Sequence, residues 1–69
     1  MKHIQIYDFV NWELEKFRNE CNFSDEELEY FNLRAKHISH ERVAELMNIS
    51  VSKADTLSRK VKMKILKVI

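Results

Sequence analysis

A chain of 69 residues without a single glycine or proline lacks the two residue types that most readily build tight turns, and it has no material for a glycine-rich phosphate loop. Helices joined by short connections remain, so the composition points to an all-α fold. The length suits one small domain spanning 1–69 and excludes a multi-domain enzyme. A folded chain of this size buries only about 60% of the surface its unfolded form exposes, which leaves a marginal core and makes a partner surface useful.

One cysteine cannot form an intramolecular disulfide, and the opening MKHIQIYDF has neither a long apolar run nor a small-residue cleavage site, so a cytoplasmic location is expected. No stretch approaches the roughly 18 consecutive apolar residues of a membrane span. Charge is divided unevenly. Residues 1–32 carry three Lys/Arg against eight Asp/Glu, a net −5; residues 33–69 carry nine against three, a net +6; together they make the +1 of the whole chain. From Thr56 onward there is no acid, while Arg59, Lys60, Lys62, Lys64 and Lys67 are all basic. Such polarity suits a polyanion on one side, or simply a solvated lysine-rich helix.

Apolar periodicity divides the chain into four helices. Ile4 to Tyr7 alternates too briefly for a strand and reads as irregular. Val10, Leu14, Phe17 and Cys21 keep one helical face, predicting a supporting helix over 8–21, with Asp8 as its cap and Tyr7 packed across the cap onto Trp12. Ser24 and Glu27 have the spacing of a capping box, with Phe23 and Leu28 as its apolar staple, and they start a second helix over 25–36 that turns Leu28, Phe31 and Ala35 inward. His37 then takes the left-handed position that ends it. Ser39 caps a third helix over 40–47, Asn48 supplies another left-handed turn, and Ser50 caps a fourth whose Ala54, Leu57, Val61 and Ile65 face the core. The tail VKMKILKVI also alternates like a strand, but the helical phase runs through Val61 and favours continuation of the helix.

Residues 40–59 thus form two helices joined by a short turn, the layout of a helix-turn-helix DNA reader. Val43, Met47, Ile49, Ala54 and Leu57 are its apolar positions, and small Ala44 lets the helices approach. The segment FSDEELEYFNLRAKHISHERVAELMNISVSKADTLSRKVKMKIL resembles region four of bacterial sigma factors and the related LuxR-type response-regulator domain. The likeness is carried by the acidic capped helix, Leu33-Arg34-Ala35, the Val43-Ala44-Glu45 core and Ile49-Ser50-Val51-Ser52. His37 and Asn48 stand where that family usually has glycine. The resemblance covers the chain from Phe23 to Leu66, with 24–66 as the DNA-binding region, and does not separate sigma factor, response regulator and phage-type activator.

What the resemblance implies is a small sequence-specific transcriptional regulator, bacterial or phage, whose fourth helix enters the major groove of double-stranded DNA. Val51, Ser52, Lys53, Thr56 and Arg59 are then the candidates for base edges. Ser39, His40, Arg42, Ser50, Lys60, Lys62 and Lys64 are the candidates for backbone phosphates. Asp55, four residues before Arg59, is expected to pair with it and orient it. The bland reading of the serines and Thr56 is that they cap or solvate a helix.

Other chemistries find less support. His37 and His40 flank a helix start and no second thiol exists, so no metal site is expected. Cys21 continues an apolar face, and the acids of 25–29 are helix-start charges without a cleft, so neither an enzyme, a cofactor nor a small-molecule substrate is expected. Phe9 and Trp12 lie off the main apolar face of the first helix and are either folded onto the core or a partner surface. That surface supports the alternative function, a protein-interaction module acting on RNA polymerase or another regulator. Together with Met63, Leu66, Val68 and Ile69 it also points to a homodimer. A basic tail lying on anionic membrane is a weaker third reading.

Overall fold

A computed structural model describes residues 6–69. A single 3-10 turn, Ile6–Asp8, precedes four helices: α1 (Asn11–Glu20), α2 (Asp25–Ala35), α3 (His40–Met47) and α4 (Val51–Val68). The fold is all-α, with no strand among the described residues. The reading of Ile4 and Gln5 as irregular lies outside the described residues. The tail continues the helix as expected.

Three serines set the helix starts. Ser24 Oγ accepts from the Glu27 N–H while Glu27 Oε1 accepts from the Ser24 N–H at 3.0 Å, a complete capping box. Ser39 Oγ accepts from the Arg42 N–H, and Ser50 Oγ from the Lys53 N–H. Each hydroxyl satisfies one of the orphan donors of a first turn, worth about 1 kcal/mol. The first helix departs from expectation. Its cap is Val10, whose N–H is bonded to Glu13 Oε1 at 3.1 Å, so α1 starts three residues later than the sequence spacing predicts, and Asp8 ends the preceding turn instead. Glu13, on the first turn, reaches back as the acid of a capping box does. Val10 consequently points outward at 53% exposure, and Trp12 is exposed rather than packed against Tyr7. The Tyr7 ring sits instead between Arg34, 5.2 Å from its centroid, and the His37 ring at 4.8 Å.

The core lies between α2, α3 and α4, with α1 laid against one end. Phe31, Val43, Ala54, Val61 and Ile65 are wholly buried, and Ile6 and Tyr30 nearly so. Burying each of the larger side chains contributes about 1.5–3 kcal/mol relative to leaving it exposed. All four predicted inward positions of α4, Ala54, Leu57, Val61 and Ile65, are buried. On α2, Phe31 is buried and Ala35 packs against the core as predicted, but Leu28 is half-buried and outside the core cluster, and Glu27 and Tyr30 are buried beside Phe31 instead. Leu14, Phe17 and Cys21 bury the inner face of α1. Phe9 completes it by standing edge-on to Phe17 with centroids 4.8 Å apart. Arg18 ties α1 to α2, its Nε donating to Asn32 Oδ1 at 2.8 Å with the guanidinium 5.5 Å from the centre of the Phe31 ring.

The connections show how a chain without glycine turns. Asn22, His37 and Asn48 hold φ of 52°, 65° and 58°, the left-handed region that costs an ordinary residue about 1–2 kcal/mol and that Asn and His enter more readily than most. Asn48 ends α3 there, with the Ile49 N–H returning to the Ala44 carbonyl at 3.0 Å. Asn48→Ala is expected to lower stability by about 1 kcal/mol, some 4–8 °C in Tm, whereas Asn48→Gly leaves it unchanged or raises it. Thermal melts followed by circular dichroism check this, and equal losses in both variants would contradict it.

Candidate nucleic-acid interface

With Ala54, Leu57, Val61 and Ile65 facing the core, helical geometry puts Ser52, Thr56 and Arg59 on the opposite side of α4. All three are exposed, as are Val51 (49%) and Lys53 on the flanks. The Thr56 hydroxyl donates to the Ser52 carbonyl at 3.2 Å and keeps its lone pairs for an incoming donor. Arg59 forms no ion pair among the described residues. Of the five residues predicted to meet base edges, Ser52, Thr56 and Arg59 therefore share the outward side of the first half of the helix, while Val51 and Lys53 stand on its two opposite flanks.

The start of α3 is brought beside them. His40, its first residue, links all three core helices: Nδ1 is 2.9 Å from the Tyr30 hydroxyl on α2, and Nε2 is 2.7 Å from Asp55 Oδ1 on α4. A carboxylate only accepts, so Nε2 carries a proton, and in the neutral ring Nδ1 accepts from the Tyr30 O–H. This corrects one expectation. Asp55 pairs with His40, not with Arg59, because the close approach of α3 offers it a rigid partner within hydrogen-bond distance. The His40 ring, with both nitrogens engaged, is a brace between helices, and Ser39, Glu41 and Arg42 are the exposed residues beside it at that end of α3. Arg42 Nη1 lies 3.8 Å from Glu45, a loose surface pair.

The basic residues farther along divide by the side of the helix they occupy. Lys62 falls on the flank shared with Val51 and Asp55, whereas Lys53 and Lys64 turn toward α2. Lys53 Nζ is 3.6 Å from Glu26, a half-exposed pair worth at most about 1 kcal/mol and easily released. Lys64 is held more firmly, bonded to Glu27 Oε1 and to the Asn22 carbonyl. The structure thus does not bring Lys64 to the surface that Ser52, Thr56 and Arg59 share. Lys60 lies on the same side, where its field acts on the Glu27 carboxyl.

Glu27 is the one buried acid among the described residues, at 6% exposure. Burial pushes its carboxyl up, but the bond from Lys64, the Ser24 N–H and the nearby Lys64 and Lys60 charges outweigh burial and hold the pKa below the ordinary glutamate value. A carboxyl lowered in the folded state adds stability above its unfolded pKa, and the gain is lost as pH falls through the folded one. Cys21 is also buried, and burial, then the charge of Glu20, raises its thiol pKa against a smaller opposing effect of Lys64, which disfavours a nucleophilic thiolate. Among the described residues no three His, Cys, Asp or Glu side chains converge on a point that could hold a metal ion, and no helix is long and apolar enough to cross a membrane.

Comparison with known proteins returns no matching family model, no matching curated protein and no matching solved structure.

Two measurements test the bracing of this surface. Glu27→Gln keeps an acceptor for the Ser24 N–H but deprives Lys64 of its carboxylate. It is expected to cost about 1–3 kcal/mol at pH 7 in urea titrations, the difference shrinking as acid discharges the wild-type carboxylate. Tyr30→Phe, which leaves His40 Nδ1 without its donor, is expected to lower stability by about 1 kcal/mol.

Proposed function

We propose that this chain is a small sequence-specific DNA-binding protein acting as a transcriptional regulator, with α3 and α4 as a helix-turn-helix and the first half of α4 seated in the major groove. One observation carries the reading: Ser52, Thr56 and Arg59 stand together on the exposed outer side of a helix whose opposite side is wholly buried, flanked by Val51 and Lys53. A rod braced from behind and free in front is what groove insertion requires. Trp12, the large aromatic that would spoil this surface by covering it, lies beside Ile69 at the far end of α4. The resemblance of residues 23–66 to sigma region four and LuxR-type domains supports the same assignment, as does the net +6 of residues 33–69.

On this reading, Arg59 and Lys53 reach guanine or phosphate, Val51 meets a thymine methyl, and Ser52 and Thr56 bond to bases or phosphates. Ser39, Arg42, Ser50, Lys60 and Lys62 add backbone contacts of lower specificity. Lys64 drops out of the contact set. Selection of bound DNA from a random pool, followed by fluorescence anisotropy on the selected site, is the test. Binding is expected to fall steeply with salt, and Lys53→Ala with Arg59→Ala to weaken it about 10- to 1000-fold while lowering the salt slope. Failure to bind any duplex at low salt would end the proposal.

The exposure of Trp12 favours a second reading, a module that binds RNA polymerase or another regulator. That reading expects Trp12→Ala to abolish capture of polymerase from nuclease-treated extract and the Lys53/Arg59 pair of substitutions to leave it intact.

A further inference from the structure

The outer side of α4 changes character along its length. Ser52, Thr56 and Arg59 occupy it in the first half, but Met63 and Leu66 follow at the same helical spacing and are 59% and 58% exposed. Ile69, next in the series, is 70% exposed, and Trp12 on α1 is 68% exposed. Trp12 and Ile69 line one groove of ≈ 190 Å³ together with Phe9, Glu13, Lys16 and Phe17. Single exposed apolar residues are ordinary; four large ones running from α4 across to α1 are the signature of a covered surface.

We infer that this end of the molecule, the groove between α1 and the C-terminus of α4 with the adjoining Met63–Leu66 ridge, is where a second copy of the chain docks. Three observations select a second copy as the occupant. The end offers both halves of a fit, a ridge of two flexible apolar side chains and a groove with room for one of them, so a two-fold arrangement satisfies both at once. Its charges are complementary in that arrangement: Lys62 and Lys67 flank the ridge, and Glu13 stands on the groove wall. Lys16 is the like charge on the wall, and it is exposed on a long stem that can turn to solvent. The area also matches. Four side chains at these exposures present roughly 400–500 Å² of apolar surface per copy, which with a polar rim passes the roughly 1,000 Å² total of a specific but weak interface. The dimer is a weak one, dissociating in the micromolar range, and it leaves the first half of α4 uncovered.

The test is made without DNA, so it stands or falls separately from the DNA-binding proposal. Sedimentation velocity is run on the full chain from about 1 to 300 μM, with the emission of Trp12, the single tryptophan, recorded on the same dilutions. The mass is expected to rise from 8.4 kDa toward twice that value, with a blue shift of the emission over the same concentrations. Leu66→Glu, at an exposed position, is expected to keep the helical spectrum and remain at the monomer mass throughout. A wild-type chain monomeric at the top concentration overturns the inference. So does a mass increase that leaves Trp12 emission unmoved, or a helical Leu66→Glu variant that associates like the wild type. Should Leu66→Glu fail to fold, the wild-type mass and emission decide alone.

Discussion

One carboxylate joins the parts of this small protein. Glu27 closes the cap of α2 by accepting from the Ser24 N–H, and it binds the Lys64 ammonium arriving from about one turn before the end of α4. Lys64 in turn donates to the carbonyl of Asn22, in the connection that leads out of α1. The connection out of α1 and the start of α2 are thereby held in register with the distant end of α4 by two side chains. In a core this small the arrangement matters more than its count of bonds, because an apolar contact between α2 and α4 permits sliding, whereas a capped carboxylate fixes both the height and the rotation of the helix it faces.

The same residue explains why part of the fold was legible in the sequence and part was not. Capping serines and a single apolar stripe define α3 and α4, and their predicted limits and inward residues agree with the structure. On α2 an acid sits in the middle of the buried face, so a reading by hydrophobicity slides the stripe toward Leu28 and passes over Tyr30. Charge in a core becomes visible only when its partner is placed, and Lys64 lies 37 positions away. The error at α1 is of another kind. Asp8 and Glu13 both offer a carboxylate to a helix start, and local preference does not say which reaches first.

The outer surface of α4 was easier to read than its bracing. Exposure of Val51, Ser52, Lys53, Thr56 and Arg59 follows from the phase of Ala54, Leu57, Val61 and Ile65 alone. The link through His40 does not, because Asp55 has an i+4 arginine as an attractive local partner and only the packing of α3 brings a competing ring within 2.7 Å. The tyrosine behind that ring carries the one further signal: a hydroxyl on a helix face turned to the core needs a polar neighbour, and His40 is the group that α3 offers it.

Because α4 runs without interruption from Val51 to Val68, its two dissimilar halves turn as one shaft. Each added or deleted residue between Arg59 and Met63 would swing one half about 100° relative to the other, and no glycine or proline is present to absorb the change. Whatever grips the far end of the shaft therefore sets the angle at which the near end is presented, and if the near end enters DNA as proposed, the orientation of the protein there would be decided some 20 Å away from the atoms in contact.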